Sequence, residues 1–95
     1  MRVISRRALR DFAVKHPDST TALDQWFRIT RRADWSSLAA TQRDFHHAEA
    51  VGRLTVFNIK GNRYRLIARV NYRTQRVFVR QILTHEEYER GKWRE

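Results

Sequence analysis

The spacing of apolar residues along the chain changes character twice. Met1 to Ile4, apolar at its ends, predicts a short opening strand, and Ser5 then precedes Ala8, Leu9, Phe12 and Ala13. That is an apolar stripe at helical spacing behind a hydroxyl suited to the N-cap. Pro17 stops the helix. Beyond the turn Pro17-Asp18-Ser19, the residues Leu23, Trp26, Phe27 and Thr30 recur three and four apart, with Arg28, Arg31 and Arg32 on the other faces. A second helix to about Ala33 follows. Trp35, Leu38, Ala39 and Phe45 predict a short third helix or an irregular connection across Ser36 to Phe45.

From Leu54 the period falls to two. Thr55-Val56-Phe57-Asn58-Ile59 is β-branched and aromatic, Gly61-Asn62 supplies a turn, and Tyr64 to Tyr72 alternates as a strand. A second turn at Arg73-Thr74-Gln75 leads into Val77 to Leu83. Thr84 with Glu87 three residues later fits a capping box, so a helical turn or two should close the chain. The expected fold class is α+β: a strand, two or three helices, three antiparallel strands and a short C-terminal helix, in a single domain over residues 1–95. The segment contains no repeats or low-complexity runs.

Composition narrows the chemistry. The chain carries 20 Lys and Arg against 10 Asp and Glu, a formal charge of +10, and Arg outnumbers Lys by 17 to 3. Guanidinium matches phosphate with two parallel hydrogen bonds where ammonium is a point charge, so the bias points to a polyanion rather than a small neutral metabolite. There is no cysteine, which removes disulfides and thiolate metal sites from consideration. His16, His46, His47 and His85 do not form a spaced ligand set, so no metal or other cofactor is expected. No apolar run reaches the ~20 residues of a membrane span, and Met1 to Arg10 lacks the apolar stretch of a signal peptide. The expectation is a cytoplasmic protein without membrane contact.

The charge is unevenly placed. From Ala50 through His85 there is no Asp or Glu, yet the stretch holds Arg53, Lys60, Arg63, Arg65, Arg69, Arg73, Arg76 and Arg80. Strand alternation puts Tyr64, Leu66, Ala68, Val70 and Tyr72 on one face and Arg63, Arg65, Ile67, Arg69 and Asn71 on the other. On the last strand, Phe78, Arg80 and Ile82 oppose Val77, Val79, Gln81 and Leu83, so Arg65 and Arg80 could converge across neighbouring strands. A charged strand face is ordinarily a solvated one. Several arginines on adjacent strands without an acidic neighbour in the segment nonetheless repel one another, a cost a bound polyanion would offset.

Thr84-His85-Glu86-Glu87-Tyr88 directly follows the last strand, and a helix would set His85 and Tyr88, three apart, on one side. RNA cleavage by side chains alone needs one group to take the 2′-hydroxyl proton, another to protonate the leaving 5′-oxygen, and cations for the phosphorane charge. Histidine suits either proton role because imidazole titrates near neutral pH. A histidine at a helix start is more commonly a cap or surface residue. Its place beside Arg80 and Tyr88 at the end of a basic sheet is what marks this one.

These residues resemble the HigB toxins of type II toxin-antitoxin systems, mRNA endonucleases in the RelE-like group. The likeness spans nearly the whole chain and is strongest in Val56 to Leu66 and in Ile82 to Tyr88, the latter followed by Gly91 and Trp93. Met1 to Ser5 and the Trp35 segment are similar too. The resemblance implies a small RelE-like domain with helices on one face of an antiparallel sheet and a basic, concave face for mRNA. It also implies cleavage on the translating ribosome and neutralisation by a HigA-type antitoxin carrying a helix-turn-helix domain, in a toxin-antitoxin hetero-oligomer. By position Asn58, Asn62, Arg65, Thr84, His85 and Tyr88 match the family pattern, and Arg80 stands where a basic residue commonly precedes the Thr-His pair. Lys60 departs from it, since many relatives have Gly there, and Glu89 stands where Asp is frequent.

The expected catalytic set is therefore His85 as general acid or base, Arg65 and Arg80 clamping the scissile phosphate, and Tyr88 orienting or stacking on the nucleotide. Asn58, Lys60, Asn62, Arg63 and Arg69 are expected to contact RNA, although Asn62 beside Gly61 is also an ordinary turn residue. One rival is a non-catalytic RNA- or ribosome-binding protein using the same sheet. A DNA-binding regulator is a weaker one, because no helix-turn-helix pattern is present and the basic residues concentrate in strands.

Overall fold

Short polar side chains start three of the helices. In the computed structural model, which describes residues 1–94, Ser5 Oγ accepts the Arg7 amide at 3.1 Å to open α1 (Arg6–Lys15). Ser37 Oγ accepts the Ala40 amide at 3.2 Å to open α3 (Leu38–Asp44). The capping box at Thr84 forms in both directions and opens α4 (His85–Glu89). Between α1 and α3, one turn of 3₁₀ helix over Pro17–Ser19 runs into α2 (Thr20–Arg32). The ambiguous stretch around Ser36 to Phe45 is thus helical.

The strands are β1 (Arg2–Ile4), β2 (Glu49–Val51), β3 (Leu54–Ile59), β4 (Tyr64–Asn71) and β5 (Arg76–Thr84), in the sheet order β1-β5-β4-β3-β2. Strands β2 to β5 form an antiparallel meander, while β1 pairs in parallel with β5, Arg2 opposite Arg76. The sheet is therefore mixed, and it has one strand more than the periodicity predicts. The extra strand, β2, turns into β3 through Gly52 at φ +60°, a conformation that glycine adopts without strain.

Helices α1, α2 and α3 cover one face. Leu9, Leu23, Trp26, Trp35, Phe57, Leu66, Ala68 and Val77 form its core, with Phe57 ringed by Trp26, Trp35 and Phe45 at centroid distances of 5.4, 6.1 and 5.4 Å. Each large side chain buried there contributes ~1.5–3 kcal/mol by leaving water. The opposite face has a second, smaller core. Leu54, Val56 and Ile67 are buried beneath Trp93, with Val51, Leu83 and Tyr88 at its margin. That is why Tyr64 through Ala68 are buried at every position rather than at alternate ones. The face expected to be cationic is half covered by the chain that follows α4.

Candidate active site

The strand register decides which predicted residues meet. Asn58 on β3 pairs with Arg65 on β4, and Arg65 pairs with Leu83 on β5. Next along β5, Thr84 ends the strand opposite Tyr64, and the His85 amide donates to the Arg63 carbonyl at 3.0 Å. Asn58, Asn62, Arg65, His85 and Tyr88 are thereby gathered at one end of the sheet.

Arg65 is buried, with 8% of its surface exposed. Its Nη1 donates to the Asn62 carbonyl at 2.8 Å and to the Tyr64 carbonyl at 3.3 Å, while Nη2 donates to Asn62 Oδ1 at 3.4 Å. Asn58 Nδ2 donates to the same Asn62 Oδ1 at 3.4 Å. Asn62 is thus a turn residue whose oxygens hold the arginine, and Asn58 holds Asn62. The Arg65 guanidinium also lies over the Tyr88 ring, 5.0 Å from its centroid, close enough for cation–π attraction. The ring is stacked on Trp93, with centroids 5.0 Å apart and planes at 13°, and the Trp93 indole N–H donates to the Tyr88 carbonyl at 2.9 Å. The Tyr88 ring thus has two partners within the chain. Its hydroxyl donates to Glu49 Oε1 of β2 at 3.2 Å. Burial first, and then the Glu49 carboxylate, raise the phenol above its ordinary pKa, so at neutral pH Tyr88 is an uncharged O–H donor.

His85 presents its imidazole to solvent as the first residue of α4, with Nε2 3.4 Å from Glu89 Oε1 one turn along. Thr84 Oγ1 accepts the Glu87 amide at 3.2 Å and Glu87 Oε1 accepts the Thr84 amide at 2.9 Å. The second bond is the main reason that the Glu87 carboxyl lies below its usual pKa. A five-residue helix is too short to persist on propensity alone, so this box and the docked Trp93 are what fix His85 in place.

Other predicted residues are not brought into the cluster. Arg80 falls at a β-bulge, where the register slips between Ile67 and Ala68, and alternation from Gln81 turns it to the α1 side. There it lines a surface cleft with Ala8, Asp11, Phe12 and Lys15. Arg65 and Arg80 consequently do not converge; one extra residue on β5 reverses the facing that strict alternation predicts. Lys60 and Arg63 have a partner within the chain. Both turn to Asp18, with Lys60 Nζ and Arg63 Nε each 3.3 Å from Oδ2, while the Tyr64 hydroxyl donates to Oδ1 at 2.6 Å. The Tyr64 hydrogen bond foremost, then Lys60 and Arg63, keep the Asp18 carboxyl below its ordinary range, and the same bond raises the Tyr64 phenol. An acid 42 residues away supplies the countercharge missing from the local sequence. Arg69 remains exposed on the far part of β4, opposite Phe78.

Sequence reasoning gave no role to Glu49, Trp93 or Asp18. Only Trp93 carries a local signal, an aromatic residue soon after α4 beyond Gly91, whose φ of +73° turns the chain back onto the sheet. Asp18 and Glu49 act through contacts 46 and 39 residues distant.

Residues 19–91 match the model of the HigB toxin family, described as the RelE-like toxic component of a toxin-antitoxin system. Among characterised proteins, the mRNA interferase toxin HigB of Escherichia coli strain K12 is 29% identical over 92 residues, covering 94% of this chain and 88% of that protein. The mRNA interferase HigB of Shigella flexneri matches to the same extent. That of Escherichia coli O6:H1 is 28% identical over 93 residues, covering 95% of this chain and 90% of the relative.

Proposed function

Because the chain belongs to the HigB family of RelE-like toxins, we propose that it is an endoribonuclease that cuts mRNA on the translating ribosome by acid–base chemistry of its own side chains. The observation that carries this reading is the exposed His85 imidazole at the start of α4, the helix whose Tyr88 ring is held between buried Arg65 and Trp93. In the proposed reaction the 2′-hydroxyl loses its proton and attacks phosphorus, and the bond to the 5′-oxygen breaks as that oxygen gains a proton. The products are a 2′,3′-cyclic phosphate and a 5′-hydroxyl end. His85 serves one of the two proton transfers, with Glu89 at 3.4 Å steering its ring. Arg65 contributes fixed positive potential beneath the phosphate rather than a mobile clamp, since Asn62 and Tyr88 already hold it. Lys60 and Arg63, paired with Asp18, act in this reading as electrostatic grip at the site's margin, and Arg80 adds positive potential from the α1 side. The relatives named mRNA interferases support the choice of substrate. Family membership further supports an antitoxin of the HigA type as the neutralising partner, in a cytoplasmic toxin-antitoxin complex. No described helix is long and apolar enough to cross a membrane.

The test is mRNA cleavage in a translating extract, read as new 5′ ends. His85→Ala should abolish cutting, whereas Arg80→Ala, on the α1 side, should lower it by a smaller factor. Wild-type cutting by His85→Ala would end the assignment of the site. RNA binding by the wild-type chain without new ends would replace this reading with that of a non-catalytic binder.

A further inference from the structure

The chain that returns after α4 covers only part of the second sheet face, and the uncovered part has its own composition. Trp93 lies over Leu54, Val56 and Ile67 of β3 and β4. Val77 and Val79 of β5 enter the helix-side core, so Phe78 between them points to the opposite face. So do Arg69, between Ala68 and Val70, and Arg2, beside Val3. The register sets these residues side by side: Phe78 faces Arg69 on β4 and Ile4 on β1, and Arg76 faces Arg2 and Asn71 in the next row. Phe78 is only partly buried and packs into neither core. An aromatic ring framed by Arg69, Arg76 and Arg2, all exposed, is unusual for a face that merely meets water.

The row of Phe78 is also continuous with the site. Between it and α4 lies a cleft lined by Gln81, Leu83, Glu87, Arg90, Lys92 and Trp93, in which Arg90 and Lys92 outnumber the one carboxylate. From Arg65 to Asn71 the strand runs six residues, about 20 Å at ~3.3 Å per residue, so the open rows at Arg69 and Asn71 lie several nucleotides from the site. We propose that this open strip is a track for single-stranded RNA leading away from the His85 site, in which Phe78 stacks on one base and Arg69, Arg76 and Arg2 hold the flanking phosphates. The assignment rests on RNA being the substrate, and it adds a specificity element several nucleotides from the scissile bond. Aromatic stacking accepts any base while the cations follow the backbone, which is the combination that single strands require.

The experiment uses the full chain carrying His85→Ala, so that RNA survives, and fluorescently labelled oligouridylates of four and ten nucleotides. The longer probe should bind more tightly. Phe78→Leu should weaken the ten-mer about tenfold, Phe78→Tyr should restore it, and the four-mer should respond little. Arg76→Gln should reduce the salt dependence of ten-mer binding by about one charge. Unchanged ten-mer affinity in Phe78→Leu, with the fold confirmed by its melting temperature, overturns the track, as does failure of the ten-mer to bind at all. Phe78-dependent binding of polyglutamate as tight as that of RNA would assign the strip to an acidic protein instead. The outcomes separate from those of the nuclease reading: cut mRNA with Phe78-independent binding removes the track alone, and Phe78-dependent binding without new RNA ends removes the nuclease alone.

Discussion

Replacing Trp93 by alanine tests whether the two cores are energetically separate. The indole is 8% exposed, closes the cluster of Leu54, Val56 and Ile67, stacks on Tyr88 and donates a hydrogen bond to its carbonyl. Removing a buried tryptophan side chain costs about 3–5 kcal/mol. Charged wholly to docking of the segment after β5, that is a shift of roughly two to three and a half powers of ten toward the undocked form. Global stability should fall by less than this, because the segment can detach while Trp26, Trp35, Phe57 and Leu66 stay packed under the helices. Cleavage should fall at least about a hundredfold, since α4 loses its anchor and Arg65 loses the Tyr88 ring. Amide hydrogen exchange checks both halves at once. Protection should collapse at Arg90 and Gly91, which donate to the Glu86 and Tyr88 carbonyls, and persist at Phe57 and Leu66. Equal loss of protection at both sets would refute the separation, and wild-type cleavage with the segment undocked would refute the dependence of the site on it.

Two further outcomes follow from the caps and ion pairs. Thr84→Ala removes one half of the capping box and should cost about 1 kcal/mol locally, roughly a fivefold increase in opening of α4. Thr84→Ser should retain protection of the Glu87 amide, and identical exchange in the alanine variant would count against the box as the anchor. Asp18 has a folded-state pKa below its unfolded value of ~3.9, so its contribution is present above that pH and is lost as pH falls through the folded value. Wild type should melt above Asp18→Asn by a constant margin from neutral pH to about pH 5. That margin should shrink in more acidic buffer, and a difference undiminished at the acid end would contradict the ion-pair account.

Much of this architecture is legible in the order of residues. Ser5, Pro17 and the Leu23–Trp26–Thr30 spacing delimit α1 and α2, and the three-residue spacing of Thr84 and Glu87 announces α4. What resists reading is settled by partners far along the chain. β2 is three residues beginning with a glutamate, and it becomes a strand only because β3 is there to pair with it. The alternation of β4 implies one wet face, whereas Trp93 makes both faces dry around Ile67. Lys60 and Arg63 belong to an acid-free stretch of sequence but not of space. The bulge near Ala68 sends Arg80 to the α1 side of the sheet, a single-residue slip that no period-two pattern contains. For the site, Arg65 meets the Tyr88 ring and His85 opens the same short helix, and the supports that hold them, Asn62, Trp93 and Glu49, are visible only in three dimensions.

The parallel pairing of Arg2 with Arg76 also bears on the order in which this protein is made. A ribosome emits β1 before its partner β5, with Arg2 and Arg76 separated by 74 positions, and the closing of so large a loop is entropically costly and slow. Residues 85 to 93, which carry the histidine and its anchoring indole, come later still. A nascent chain can therefore assemble α1 and α2 while it has neither a finished sheet nor a working site. On the proposed reading the polypeptide cannot cut RNA during that interval. A partner able to grip the early helices would find them before the histidine exists.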